Sequence, residues 1–125
     1  MSLLDTLFVM QTMEETEDGF TASLLCNPSH PILQAHFPNN PIVPGACLLW
    51  TAGAVLQQKI GRTVCLKSSK NIKYLNILVP VEGKTIYFKY SHLVETETEC
   101  KTQLVIADDT VVYSKMSLTF SYVPA

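Results

Sequence analysis

Charge is scarce in this sequence. Asp, Glu, Lys and Arg make up 16% of its 125 residues. Nine Lys and Arg stand against eleven Asp and Glu, a net charge of −2, and the basic residues are scattered. That excludes the basic field presented by a binder of nucleic acid or of an anionic membrane. Long apolar runs are missing too. The longest, Ala46 to Leu56, is about half of the ~20 residues that cross a bilayer, so no membrane insertion is expected. The first residues, MSLLDTLFVMQTMEETEDGF, have no basic segment ahead of an apolar one. No secretory leader is read there, and the expected location is the cytoplasm. Cys26, Cys47, Cys65 and Cys100 lack CxxC or Cys/His ligand spacing. No metal site is expected, and the four read as free core thiols. Repeats, low-complexity tracts and linkers are absent, so residues 1–125 read as a single domain.

Apolar residues are what the chain has in quantity, at 47%. With so little charge beside them, part of the apolar surface is expected to lie against another subunit. Residues 3–8 read as a short helical turn and residues 7–13 as a strand. Residues 14–19, EETEDG, read as an acidic turn with Asp18-Gly19 as a hairpin signal, and Phe20 to Cys26 as a second strand. Four further strands are expected at 64–77, 85–93, 98–107 and 111–122, where β-branched and aromatic residues alternate with polar ones. One helix is expected at Ala46 to Ile60, apolar on every side until Gln57-Gln58-Lys59 and therefore buried. The class is α+β, a curved antiparallel sheet wrapped around one long helix.

Five of the seven prolines (28, 31, 38, 41 and 44) fall within residues 27–45. Proline cannot join a β-ladder or sit inside a helix, so this stretch reads as a rigid loop. It holds His36 and runs through Pro44-Gly45 into the helix. Pro44 suits a first helical turn, because its missing N–H would be unpaired there anyway. A histidine fixed by prolines suits general-base chemistry near neutral pH, and a helix N-terminus suits negative charge developing on oxygen.

The stretch HisPheProAsnAsnProIleValProGly, residues 36–45, resembles the catalytic loop of the hot-dog fold 3-hydroxyacyl-(acyl-carrier-protein) dehydratases. Gln34 also sits where that family often has glutamine. LysTyrLeuAsnIleLeuValProValGluGly, residues 73–83, is similar to the family's second signature, a basic-aromatic pair followed by Pro-x-x-Pro-Gly-Asp. Leu78 stands in place of its first proline, and Glu82-Gly83 in place of Gly-Asp. The resemblance covers about residues 10 to 122. It implies a hot-dog fold, subunits paired sheet edge to sheet edge, and an acyl-pantetheine tunnel at the interface. It implies syn dehydration of a 3-hydroxyacyl thioester to the trans-2-enoyl product in fatty-acid or polyene-type lipid biosynthesis. His36 would take the α-proton, and the Gly45 N–H would polarise the thioester carbonyl. Phe37, Pro44, Ala46 and Trp50 would line the acyl site. No cofactor is implied, because the thioester already acidifies the α-proton.

The family's helix carboxylate lies fourteen residues after the histidine, and here that position is Trp50. No acid occurs from Ala46 to Ile60, and an indole N–H is a donor only. Three readings stand. The chain is an enzyme that uses a substitute for the acid. It is half of a heterodimer whose other hot-dog subunit supplies the carboxylate. Or it is a non-catalytic module that binds acyl thioesters. A hot-dog thioesterase also usually needs an acid. The plainer readings are Trp50 as a core or pocket-wall aromatic, Cys47 as a core thiol, His30 as a turn residue and His92 as a surface residue. Acyl carrier proteins are acidic, and Arg62, Lys67, Lys70 and Lys73 are the candidates for a docking patch.

Overall fold

The computed structural model describes residues 7–30, 33 and 42–124. The segment 3–8 therefore lies mostly outside the described residues, and so do Gln34, His36 and Phe37. Strands β1 (Phe8–Glu15) and β2 (Phe20–Cys26) form a hairpin, followed by helix α1 (Gly45–Ile60). Then come β3 (Val64–Tyr74), β4 (Thr85–Glu95), β5 (Glu99–Ala107) and β6 (Val112–Tyr122). All pairings are antiparallel, in the order β1-β2-β4-β5-β6-β3.

That order explains the helix. β2 and β3 are consecutive strands on either side of α1, yet β4, β5 and β6 lie between them. The chain must cross four strand spacings, about 19 Å. Sixteen helical residues reach about 24 Å, enough to cross the sheet's inner face. Cys47, Leu48, Thr51, Ala52, Val55 and Leu56 press that helix onto the sheet. They meet a floor that includes Phe20, Phe88, Leu104 and Phe120, all buried. The Tyr90 hydroxyl donates to the Ala52 carbonyl at 2.6 Å, and its ring stacks on Phe20 at 4.3 Å. One strand side chain thus fixes the helix midpoint. Gly61 ends the helix at φ 71°, its N–H returning to the Gln57 carbonyl.

Strand bounds differ from the sequence expectation by two or three residues in three places. One of these is β4, which runs on to Glu95 because Val94 and Glu95 pair with Lys101 and Cys100 beyond a bulge. Glu14 and Glu15 pair with Thr21 and Phe20, so the acidic turn is shorter than expected. On the edge strand β1, Glu14 faces outward and stays solvated, while Glu15 lies on the helix side and accepts from Lys59 in the last turn of α1 at 2.7 Å. β3 stops at Tyr74 instead of running to Ile77, because the Leu75 and Asn76 N–H groups both turn to the Tyr113 carbonyl. The Leu78 carbonyl then accepts from the Val43 N–H, which ties this loop to the approach of α1. Cys26, Cys47 and Cys100 are buried thiols as expected, but Cys65 is exposed on the edge strand β3.

The turn between β5 and β6 is held by Asp108. Its carboxylate accepts from the Thr110 and Val111 N–H groups at 2.8 and 2.7 Å, from the Tyr113 hydroxyl, and from Lys84 at 3.2 Å. The Tyr113 hydroxyl first, and then these N–H groups, hold its pKa well below the usual carboxylate range. A depressed folded-state pKa stabilises the fold above the ordinary value of 3.8 and loses that contribution as pH falls below it. Asp108→Ala is expected to cost about 2 kcal/mol at neutral pH. Asp108→Asn should also flatten the acid limb of a stability-against-pH curve below about pH 4. Urea melts at several pH values read both effects, and equal acid limbs in the two proteins would refute the assignment.

Candidate active site

α1 is only half covered. Its open face repeats as Ala46, Leu49, Trp50, Gly53, Ala54 and Gln57. These residues face β3 and β6 across a groove of about 450 Å³, whose far wall includes Val64, Leu66 and Phe120. The expectation of a helix buried on every side is corrected here. An all-apolar helix can cover one face with its own sheet and leave the other for a ligand or a second chain. Gly53 permits the close fit, since a Cβ there would lie 3.3 Å from the Phe120 ring. The Gln57 side chain closes the lower end by accepting the Val64 N–H at 2.9 Å. Trp50 forms a wall of this groove and is 58% exposed, so it is not a core residue.

A second cavity, about 530 Å³, opens at the N-terminus of α1 and is bordered by Pro44, Gly45, Leu48, Tyr74 and Leu78. Pro44 occupies the cap position at φ −63°, ψ 147°, with no side-chain cap bond, and the first turn has no acid. The positive end of the helix dipole is therefore left unneutralised by this turn's own side chains. Cys47 and Leu48 N–H groups bond back to the Pro44 carbonyl, so Gly45 and Ala46 are the donors nearest the cavity. Tyr74 lies directly against Gly45. A Cβ at Gly45 would stand 2.6 Å from its hydroxyl and 2.7 Å from Cζ. Only glycine leaves room there for a phenol beside the backbone.

Of the residues expected at the site, the structure brings Pro44 and Gly45 to one cavity, and Ala46 and Trp50 to the groove beside it. His36 and Phe37 belong to the undescribed stretch. Tyr74 was not expected at the site. Its signal was present as the aromatic member of Lys73-Tyr74, but its contact depends on β3 register. Cys47 sits within the first turn, and burial pushes its thiol pKa up. That keeps it protonated and makes it a poor nucleophile. Among the described residues, no cluster of three or more His, Cys, Asp or Glu could hold a metal ion. His92 is exposed at a β4 bulge, its N–H donating to Asp18 at 3.0 Å. No helix among the described residues is long and apolar enough to cross a membrane.

A family model of ApeI dehydratases matches residues 12–117. The chain belongs to the ApeI-like dehydratase family. No curated protein matches it in sequence. Among solved structures, a chain of the dehydratase heterocomplex ApeI:P from Xenorhabdus doucetiae is similar with a TM-score of 0.72 and 17% identity, covering 91% of this chain and 97% of that one. A sigma28-regulated virulence protein from Campylobacter jejuni gives 0.68 at 11%, covering 98% and 88%. A hypothetical thioesterase protein from Streptococcus pneumoniae, solved with coenzyme A, gives 0.63 at 14%, covering 93% and 85%. At these identities the likeness shows the fold, and that fold is the hot-dog. This ApeI-like dehydratase thus has the helix-wrapping sheet of its relatives, with tryptophan on the helix where the sequence resemblance puts an acid.

Proposed function

We propose that the chain dehydrates 3-hydroxyacyl thioesters carried on an acyl carrier protein, in fatty-acid or polyene-type lipid biosynthesis. In this reading it works as the histidine-bearing half of a pair of hot-dog subunits. The observation that carries the proposal is the uncapped start of α1 at Gly45, opening into an apolar cavity directly after the His36 loop. The thioester carbonyl lies at the Gly45 N–H, which stabilises negative charge as it develops on that oxygen. His36 removes the α-proton. The electron pair of that C–H bond forms the new C2–C3 double bond as the C3–O bond breaks. The departing hydroxyl takes a proton and leaves as water. No side chain of α1 supplies that proton, so the second subunit's helix carboxylate does. The heterocomplex of the Xenorhabdus relative supports pairing of unlike subunits.

The test is direct. The chain and a carboxylate-bearing hot-dog partner are incubated with a 3-hydroxyacyl thioester, and enoyl thioester is followed by its absorbance. His36→Ala is expected to lower kcat/KM by roughly 10²–10⁴-fold. Turnover that survives this change rules out the assigned base, and no turnover with any such partner leaves acyl-thioester binding without catalysis.

Gly45→Ala gives a second expected result. The new methyl group displaces the Tyr74 ring from the cavity and disturbs the carbonyl site. A fall of about 10²-fold in kcat/KM is expected, with melting temperature held. Because both residues share one contact, Gly45→Ala and Tyr74→Leu should combine to less than the product of their separate effects. Independent multiplication of the two would show that the contact does not matter.

A further inference from the structure

The sheet's outer face carries an unbalanced set of lysines. On β6, Ser114, Met116, Leu118 and Phe120 are buried towards the helix, so Lys115 and Ser117 point outward. Lys73 of β3 lies directly opposite Lys115, and Lys70 opposite Ser117. Lys101 of β5 lies opposite Thr119. Like charges facing each other across a ladder destabilise a sheet, yet no carboxylate has been placed between Lys73 and Lys115. Residues 64–81, 100–107 and 110–122 contain no Asp or Glu, and Glu99, the outward carboxylate beside Lys101 on β5, is taken by Lys67. Among the described residues Lys70, Lys73, Lys101 and Lys115 form no ion pair, whereas Lys59, Lys67 and Lys84 are each paired. Two shallow hollows, about 330 and 400 Å³, lie on this face, one bordered by Lys73 and Lys115 and the other by Lys70 and Lys101. Bulges at Lys70/Lys73 and Ser91/Val94 adjoin them, with Asn71 and His92 at φ 53° and 51°.

We propose that this lysine face docks an acidic protein surface, and that the occupant is the carrier that delivers the thioester. The second clause rests on the proposed function, while the first rests on the charge pattern alone. The charges are four separate ammonium groups over three strands, an area about 10 Å wide. No arginine offers the fork that grips a phosphate. A spread of carboxylates on a folded partner matches such a patch. Its position also fits delivery. Lys70 and Lys73 are on the edge strand, whose other face sets Tyr74 against Gly45. Of the other basic residues expected to dock a carrier, Lys67 is bound to Glu99, and Arg62 lies 3.6 Å over the Tyr122 ring.

The experiment compares carrier-linked and pantetheine-linked 3-hydroxyacyl substrates, with the chain in its active assembly. Lys70→Glu/Lys115→Glu should raise KM for the carrier-linked substrate by roughly tenfold or more and remove most of its salt dependence. The pantetheine substrate should react as in the wild type, and Arg62→Glu should behave as wild type on both. Unchanged kinetics on the carrier-linked substrate, or equal losses on both, would overturn the proposal. If neither substrate reacts, the thioester reading fails by itself. Docking is then decided by titrating the wild type and the double variant with the carrier protein, and with phosphatidylserine vesicles. Carrier binding lost in the variant supports the lysine face, and binding to the vesicles alone overturns it.

Discussion

Purified alone, the chain is expected to form enoyl thioester at least ~10²-fold more slowly than when mixed with a hot-dog subunit bearing a helix carboxylate. Breaking the C3–O bond requires a proton for the departing oxygen. Helix α1 has no Asp or Glu along its whole length. In the proposed mechanism, a pair made only of this chain therefore has a base and a carbonyl site at each end but no acid. Trp50 stands where the resemblance puts the family's acid, 58% exposed on the groove wall. Its indole donates a hydrogen bond and cannot deliver a proton at neutral pH. Trp50→Glu should accordingly raise the rate of the unmixed chain towards that of the mixed pair. The substitution should be well tolerated, because an exposed side chain contributes little to the core. Steady-state rates of the wild type alone, the wild type mixed and Trp50→Glu alone read the comparison. A wild type as fast alone as mixed, with Trp50→Glu no faster, would sink the half-site mechanism and leave a different proton source.

Gly19→Ala is expected to cost about 3 kcal/mol, the largest stability loss of any glycine in the described residues. A Cβ at Gly19 would lie 2.0 Å from the Tyr90 carbonyl oxygen and 2.7 Å from its carbon. Both are backbone atoms in a central part of the sheet, so no side chain can swing aside. The turn must lift instead. Lifting breaks the bonds that tie it to the β4 bulge, the Leu93 N–H to the Asp18 carbonyl and the His92 N–H to the Asp18 carboxylate. It also loosens the stack of Phe20 on Tyr90, and with it the Tyr90 grip on the helix. A melting temperature roughly 10 °C lower should result. Gly61 is the control. It has φ 71°, and a methyl group there would meet nothing within 4 Å, so Gly61→Ala should cost only about 1 kcal/mol from backbone strain. Equal losses at the two glycines would mean that the contact with Tyr90 is not what requires Gly19.

Much of the fold was legible locally. Alternation placed all six strands within a few residues, and Pro44-Gly45 and Gly61 placed both ends of the helix. The boundaries that moved did so for non-local reasons. Glu14 and Glu15 are strand residues because β2 pairs with them, and β3 ends where Tyr113 captures the Leu75 N–H. Site legibility was more uneven. Pro44, Gly45, Ala46 and Trp50 fall on two cavities that flank the first turns of the helix. The contact of Tyr74 with Gly45 could not be read, because twenty-nine positions separate the two in the chain.

What the sequence alone determined is chemical inventory and local conformation. It set a histidine at position 36 among prolines, a helix starting at Gly45, tryptophan at position 50 and no acid from 46 to 60. These follow from residue identity, backbone restriction and side-chain period, all of which act over a few residues. The tertiary structure decided which inventory meets. It set β3 at the far edge beyond β6, turned one face of an all-apolar helix to the groove, laid Tyr74 on Gly45 and gathered Lys70, Lys73, Lys101 and Lys115 onto one face. Those outcomes depend on strand order and register. A shift of one residue in register would send every side chain of β3 to the opposite face, and only the long-range pairing with β6 fixes which face each one takes.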